Sequence, residues 1–560
     1  MPNCRDTLDP LLAEAKLVQV EIGVVTNAIA QQQERLRTLA DRHRYLTSPL
    51  RKFTAEILGR IFKAALEQQL PSEKPRKSVL INFCLVCKTW KAVAYATPAL
   101  WTPLVLSLRS STRMTPREYD TLVFWLSRSP KTSRGLTIRS SKLEHRHKAE
   151  TCSLLDPLVA KLLKEGPVLD HLHLDMMRIQ CLHSLLDLVG PPESRGARRA
   201  PRPWESLKTL GLTFRRFNVP ADSPSDLNDI LLRIPQVRKF ELNLPYRWLA
   251  KATHRITAPT GTPYFSDLTT LTLACDWGPR IPLAILDACV NLETLTVDML
   301  GNDHDSFVQT AKKESRRISL AKVCLLRLRQ LHPSNISILE ILDLPSLCEL
   351  DVSIRKPRAF GDSQDQWDIP PGFYEHVKTL YARSGPYLRR LRIRGGIIPE
   401  DEWHLLHQLL LYMSRLTHLT LDEVEFSSSL LKELASGNGQ TLPCLAVLEL
   451  FQLPLHLSPL LVYAFLDQRR VINAASLLDP RPDPLKQVAL SYRKDIKGPY
   501  LQVLDGVRRV FMEIYGIDVS LATETWRRNN PLTLTIASVR SLSPLFLDCT
   551  QELSEMSAHL

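Results

Sequence analysis

A six-residue frame recurs through most of this 560-residue chain: an aliphatic residue, two variable positions, a second aliphatic, one variable position and a third aliphatic. It reads Leu169-Leu172-Leu174, Leu207-Leu210-Leu212, Val237-Phe240-Leu242, Leu268-Leu271-Leu273, Leu292-Leu295-Val297 and Leu320-Val323-Leu325. It continues at Leu347-Leu350-Val352, Leu388-Leu391-Ile393, Leu416-Leu419-Leu421, Leu445-Leu448-Leu450 and Leu485-Val488-Leu490. The last two apolar positions alternate with a polar one, so each frame ends in a short strand that is apolar on one face and polar on the other. A leucine-rich chain of this length yields about ten loose matches by chance. The context carries more weight: Pro167, Pro235, Pro345, Pro386 and Pro443 each stand two residues before a frame, where proline ends a helix and launches a strand.

The intervals hold helix-like segments, among them Asn228 to Arg233, Ile281 to Ala288, Asp401 to Met413 and Leu430 to Leu434. Their uneven lengths, and the Pro-, Gly- or charge-rich insertions at Arg195 to Pro203, Arg355 to Gly372 and Asp479 to Pro484, predict an irregular array. The expected fold class is α/β: an N-terminal helical arm and a helical hairpin, then an irregular leucine-rich-repeat solenoid of short parallel strands alternating with helices over residues 102–548. Its last unit would be a helix from Tyr500 to Tyr515 and a strand from Gly516 to Val519. Arg527 to Pro531 breaks the pattern, and residues 549–560 form a tail.

Residues 1–46 form the arm. Leu8, Ala15, Ile22, Ile29 and Leu36 step by seven, with Leu11, Val18, Val25 and Leu39 three residues after such positions, while Gln32 and His43 interrupt. This spacing fits a coiled coil with another copy, giving a homodimer through residues 8–46, a fold-back on the same chain, or a single amphipathic helix.

Residues 47–101 make a compact apolar module. Ile57, Leu58, Ile61 and Phe62 fall at helical spacing, as do Val86, Trp90 and Val93, predicting two amphipathic helices with more apolar surface than fifty residues can hide. A partner or the rest of the chain must cover it.

In this module the chain resembles the F-box family, in particular its large fungal branch. The family's Leu-Pro-x-Glu-Ile/Leu-Leu-x-x-Ile-Phe helix is matched by Phe53, Thr54, Ala55, Glu56, Ile57, Leu58, Gly59, Arg60, Ile61 and Phe62; its Val-Cys/Ser-Lys/Arg-x-Trp helix is matched by Val86, Cys87, Lys88, Thr89 and Trp90. Thr97-Pro98-Ala99-Leu100-Trp101 is similar to the family's exit from the module. The Leu-Pro turn is replaced by Phe53-Thr54, with Pro49 a few residues earlier. The resemblance implies contact with a Skp-type adaptor through Phe53, Glu56, Ile57, Leu58, Ile61, Phe62, Val86 and Trp90. It further implies a cullin-RING ubiquitin ligase in which this chain is the substrate receptor and other subunits carry the catalysis.

The polar face of the array would then hold a protein target, with Lys208, Thr209, Lys239, Arg390, His418 and Glu449 as contacts. The alternative is a non-ligase scaffold whose hairpin caps the solenoid. Eleven cysteines without repeated spacing fit free thiols in a reducing compartment. With no signal-like start and no run of about 18 apolar residues, a cytoplasmic or nuclear protein is expected.

The net charge of +13 gathers at Arg195 to Arg202, Lys312 to Arg317 and Arg389 to Arg394, without any recognition helix or aromatic RNA-binding motif, so a solvated surface is favoured over an acidic partner or nucleic acid. Phosphate-loop, dinucleotide, zincin and nucleophile-elbow motifs are absent from the sequence, and no enzyme activity or cofactor is expected. Cys84 and Cys87 have zinc-like spacing but no second pair, and read as core. The pairs His145/His147, His171/His173 and His404/His407 lack companion ligands, so no metal is expected.

Overall fold

The computed structural model describes residues 5–47, 53–67 and 76–101. Of 104–492 it describes all but short gaps and the intervals 141–152, 191–201, 215–232, 244–264, 275–279, 299–310, 355–368 and 466–484. Several expectations therefore lie outside the described residues: those for Pro49, His145/His147, 195–201, 479–484, the helix at 500–515, the strand at 516–519, the break at 527–531 and the tail at 549–560. The chain divides into two units, Met1–Leu100 and Trp101–Leu560. Among the described residues no helix is long and apolar enough to cross a membrane.

In the first unit the low-glycine, Ala-, Leu-, Gln- and Arg-rich arm forms one continuous helix, α1 (Arg5–Thr47). The module follows as α2 (Ala55–Glu67), α3 (Arg76–Val86) and α4 (Lys88–Ala96), closed by a 3-10 turn at Pro98–Leu100. Thr54 Oγ1 accepts from the Ile57 N–H at 3.4 Å and Glu56 occupies the first turn, a favourable start for α2.

The second apolar run differs from expectation: it is two helices, broken at Cys87. That residue is extended (φ −162°, ψ 170°), and its Sγ accepts from the Trp90 N–H at 3.4 Å, capping α4. Val86 therefore ends one helix while Trp90 and Val93 belong to the next. Cys87 is exposed and Cys84 half-buried, so the expected core packing of both thiols is corrected for Cys87.

Among its described residues the second unit is α/β, built on one parallel sheet of 13 strands. The strands are β1 (Leu104–Leu108), β2 (Gly135–Ser140), β3 (His171–Met176), β4 (Thr209–Phe214), β5 (Lys239–Asn243), β6 (Thr270–Ala274) and β7 (Thr294–Asp298), then β9 (Leu325–Leu331), β11 (Glu349–Ile354), β12 (Arg390–Arg394), β13 (His418–Asp422), β14 (Val447–Leu453) and β15 (Gln487–Tyr492). They pair in chain order, and β8 (Ile318–Ser319) pairs separately with β10 (Leu342–Asp343). Sequential parallel pairing requires a crossover after every strand. Helices supply several of these: α5 (Pro116–Ser127), α6 (Pro157–Glu165), α7 (Ile179–Val189), α8 (Arg280–Ala288), α9 (Ile338–Ile341), α10 (Gly372–Ser384), α11 (Trp403–Tyr412) and α12 (Ser428–Ser436).

The recurring frame accounts for the core. Its middle positions align in register across the sheet, for example Leu172, Leu210, Phe240, Leu271 and Leu295, and all are buried. The third positions Leu174, Leu212, Leu242, Leu273 and Val297 form a second buried row, and the lead positions Leu169, Leu207, Val237, Leu268 and Leu292 are buried as well. At 2–5 kcal/mol or so for each leucine truncated to alanine, these rows dominate the unit's stability.

One frame is corrected. Leu320-Val323-Leu325 gives way to Val323-Leu326-Leu328, because Leu326 and Leu328 align with Leu295 and Val297 while Leu325 aligns with Thr294 on the polar face. The region of Arg355 to Gly372, read as an insertion, ends where α10 begins.

Just before the strands a continuous backbone ladder fixes the register. Lys208 N–H donates to Asp170 O (2.8 Å), Arg238 to Lys208, Thr269 to Arg238, Glu293 to Thr269, Cys324 to Glu293 and Cys348 to Cys324 (2.8 Å). Each strand is thereby locked to the preceding one before its side chains diverge to the two faces.

Candidate functional site

Two surfaces stand out, one in each unit. The first is the apolar face of the helical module. Along α2 the positions Leu58, Phe62 and Leu66 are buried, with Leu58 3% and Phe62 1% exposed. The Phe62 ring stacks on Phe83 at 4.5 Å and meets Trp90 at 4.8 Å, while Phe83 and Trp90 lie edge to face at 6.1 Å. These residues form the module's own core. Gly59 allows the close approach of α2 to the end of α4, since a Cβ there would stand 2.7 Å from Thr97 Oγ1.

The adjacent stripe is left in solvent: Phe53, just ahead of α2, is 40% exposed, and on the helix Ile57 is 45% and Ile61 42% exposed. On α3, Ile81, Leu85 and Val86 are exposed too, Val86 by 59%. Glu56 points to solvent and pairs with Arg60 at 2.6 Å, one turn on, an exposed contact worth little. Of the eight module positions singled out in the sequence, Phe53, Glu56, Ile57, Ile61 and Val86 lie on the surface; Leu58 and Phe62 are buried and Trp90 is half-buried against them. Ile81, Leu85 and the core residue Phe83 were not singled out. Ile81 and Leu85 lie four residues apart, a spacing that could have found them.

The second surface is the polar face of the sheet. Along its first outward row stand His171, Thr209, Lys239, Thr270, Thr294, Leu325, Glu349, Arg390 and His418. Glu449 lies in the next row and aligns with Thr420, whose Oγ1 donates to Glu449 Oε2 at 2.8 Å. Lys208 lies one residue before β4, where its Nζ reaches Asp170 Oδ1 at 2.7 Å. Thus Lys239, Arg390, His418 and Glu449 share this face, and Lys208 edges it. His171 and His173 fall in separate outward rows, His173 Nε2 lying 3.1 Å from Thr213 Oγ1.

Charge on this face is organised rather than diffuse. In the run Arg389 to Arg394, β12 sets Arg390, Arg392 and Arg394 outward between the buried Leu391 and Ile393, and acids from neighbouring strands answer them. Arg390 approaches Glu349 at 3.7 Å, Arg392 meets Asp422 at 2.9 Å, Arg394 the same carboxylate at 3.6 Å, and Arg327 meets Asp351 at 3.8 Å. Burial pushes the Asp351 carboxyl above its usual range, against the opposing pull of Arg392, Arg327, Arg329 and Arg394. Burial likewise raises Asp298, opposed by Arg329. For Arg392, burial disfavours the charge but Asp351 and the hydrogen bond to Asp422 outweigh it, so its pKa rises. Asp422 is buried at the base, whereas Arg394 and Arg390 are more than half exposed. The carboxylates hold guanidinium groups whose outer sides face solvent.

Burial, then the cationic Arg390, lowers the pKa of His418. Burial also lowers His171, reinforced by Lys239 and Lys208 and opposed by Asp170. Among the described residues no group of three or more His, Cys, Asp or Glu side chains is placed to hold a metal ion. The buried thiol of Cys289 is pushed up to about 12 by burial, which keeps it protonated at neutral pH.

The chain matches no protein-family model and no curated protein sequence.

Proposed function

We propose that this chain is an F-box-type substrate receptor: the module at 53–96 docks on a Skp-type adaptor of a cullin-RING ubiquitin ligase, and the polar face of the sheet binds a protein target. The carrying observation is the exposed row Phe53, Ile57 and Ile61, joined on α3 by Ile81, Leu85 and Val86, in a module whose inner stripe is already packed. An apolar row left over after the core is satisfied is what a docking surface requires. In this reading the 13-stranded sheet is the strand layer of an irregular leucine-rich-repeat solenoid. The chain contributes recognition, other subunits contribute chemistry, and it works in the cytoplasm or nucleus. The outward guanidinium groups of Arg390 and Arg394 suit a target surface carrying carboxylates.

The experiment is co-purification of the full chain with a Skp-type adaptor. Ile57→Asp with Ile61→Asp places charges on the exposed row without touching Leu58 or Phe62, so adaptor recovery should be lost while thermal unfolding of the sheet is unchanged. Undiminished recovery contradicts the reading. A scaffold role, with the module serving only as a cap, is favoured by one observation: β1 is the sheet's terminal strand and begins close after the module in the chain. A wild-type chain that binds no adaptor would support that second reading.

A further inference from the structure

We propose that α1 pairs with the α1 of a second copy of this chain as an antiparallel coiled coil. The helix is continuous over 43 residues, and every side chain from Leu12 to His43 is exposed. Val18, Ile22, Val25, Ile29, Leu36 and Leu39 are each about half in solvent or more. A solitary helix gains too little from its own hydrogen bonds to offset that exposure.

The seam names the partner. Ala15, Ile22, Ile29 and Leu36 take the first core position of each heptad, and Val18, Val25, Gln32 and Leu39 the second. The flanking position that immediately precedes each first core residue reads, in order, Glu14, Glu21, Ala28, Arg35 and Arg42: two acids, a small neutral residue, two bases. Read backwards, the series has the opposite sign at every charged position. In an antiparallel pair these flanking positions face each other, so Glu14 meets Arg42 of the second copy and Glu21 meets Arg35, each contact occurring twice by symmetry. The same register sets Val25 on Ile29, Val18 on Leu36 and Ala15 on Leu39, with Ile22 opposite Gln32.

A parallel pair lacks this complementarity. There the same positions face the residues at Gln19, Thr26, Gln33 and Ala40, all uncharged. The charge series is therefore matched to another copy of itself running the other way. Leu17, Val20 and Val24 fall outside this seam and are not covered by it. The pairing stands whether or not the module at 53–96 binds an adaptor.

The test is the mass of the full chain in solution by sedimentation equilibrium, with charge-swap variants. The wild-type chain should be a dimer. Glu14→Lys with Glu21→Lys should weaken dimerisation about tenfold or more at low salt, and adding Arg35→Glu with Arg42→Glu should restore it. A monomeric wild-type chain, or a first pair of substitutions without effect, overturns the proposal. Val25→Asp with Ile29→Asp, at exposed positions, should give a monomer whose sheet melts as in the wild type; a persisting dimer overturns it equally.

Discussion

At the scale of single residues, the polar face shows how neighbouring strands set the chemistry of a side chain. Arg392 keeps its charge despite partial burial because Asp351 stands in register on one adjacent strand and Asp422, two residues past the register partner Thr420, stands on the other. The histidines show the opposite balance. His171 and His418 have folded-state pKa values below the ordinary 6.5, burial being the first cause of each. A histidine held neutral in the folded state adds stability that is fully present above the unfolded pKa and is lost as pH falls through 6.5 toward the folded value. Thermal stability should therefore fall between about pH 7.5 and pH 5.5 more in the wild-type chain than in the His171→Gln, His418→Gln variant. Parallel decline of the two would show that these rings contribute nothing to the pH dependence. Sequence alone placed His418 on the polar face, but the titration of both histidines depends on burial and then on Lys208, Lys239 and Arg390, which the fold brings alongside.

Among elements, the strands from β3 onward were largely legible because three apolar residues at fixed offsets can be buried together only one way. The reading slipped where a fourth aliphatic residue overlapped the frame: Leu325 and Leu326 both fit, and the backbone bond from Cys324 N–H to Glu293 O selects Leu326 for the core. β1 and β2 are hidden from the frame because Trp101 and Ser133 stand where the lead aliphatic belongs, and neither of these positions has a proline two residues before it. The break at Cys87 is not legible in the sequence because no glycine or proline marks it; a sulfur cap begins α4 instead. On the module, outward and inward stripes of α2 were not separable from spacing, since Ile57, Leu58, Ile61 and Phe62 all suit a helix. Only the aromatic stack of Phe62, Phe83 and Trp90 decides which pair is inside. Close packing of α2 against the end of α4 gives a prediction at this scale. Gly59→Val should destabilise the module by about 1–3 kcal/mol through the clash with Thr97. Hydrogen exchange should accelerate across residues 55–67 and not in the sheet; unchanged exchange in α2 would mean that the contact relaxes without cost.

For the whole molecule, the division of labour follows from where apolar surface is satisfied and where it is not. The sheet unit buries nearly all of its three aliphatic rows, with Leu104, Leu106 and Leu485 at the ends of the sheet only partly covered, and presents a polar, charge-paired face. The first unit does the reverse, leaving α1 and the outer row of α2 and α3 in water. On the proposed reading, self-pairing would cover α1 and a Skp-type adaptor would cover Phe53, Ile57, Ile61, Ile81, Leu85 and Val86. The most direct test is hydrogen exchange of the full chain with and without a Skp-type adaptor. Slowed exchange across residues 53–62 and 81–86, with strand amides of the sheet unchanged, is the predicted result. No slowing in α2 and α3 at adaptor concentrations that saturate established F-box proteins, or slowing confined to α1 or the sheet, would contradict the account.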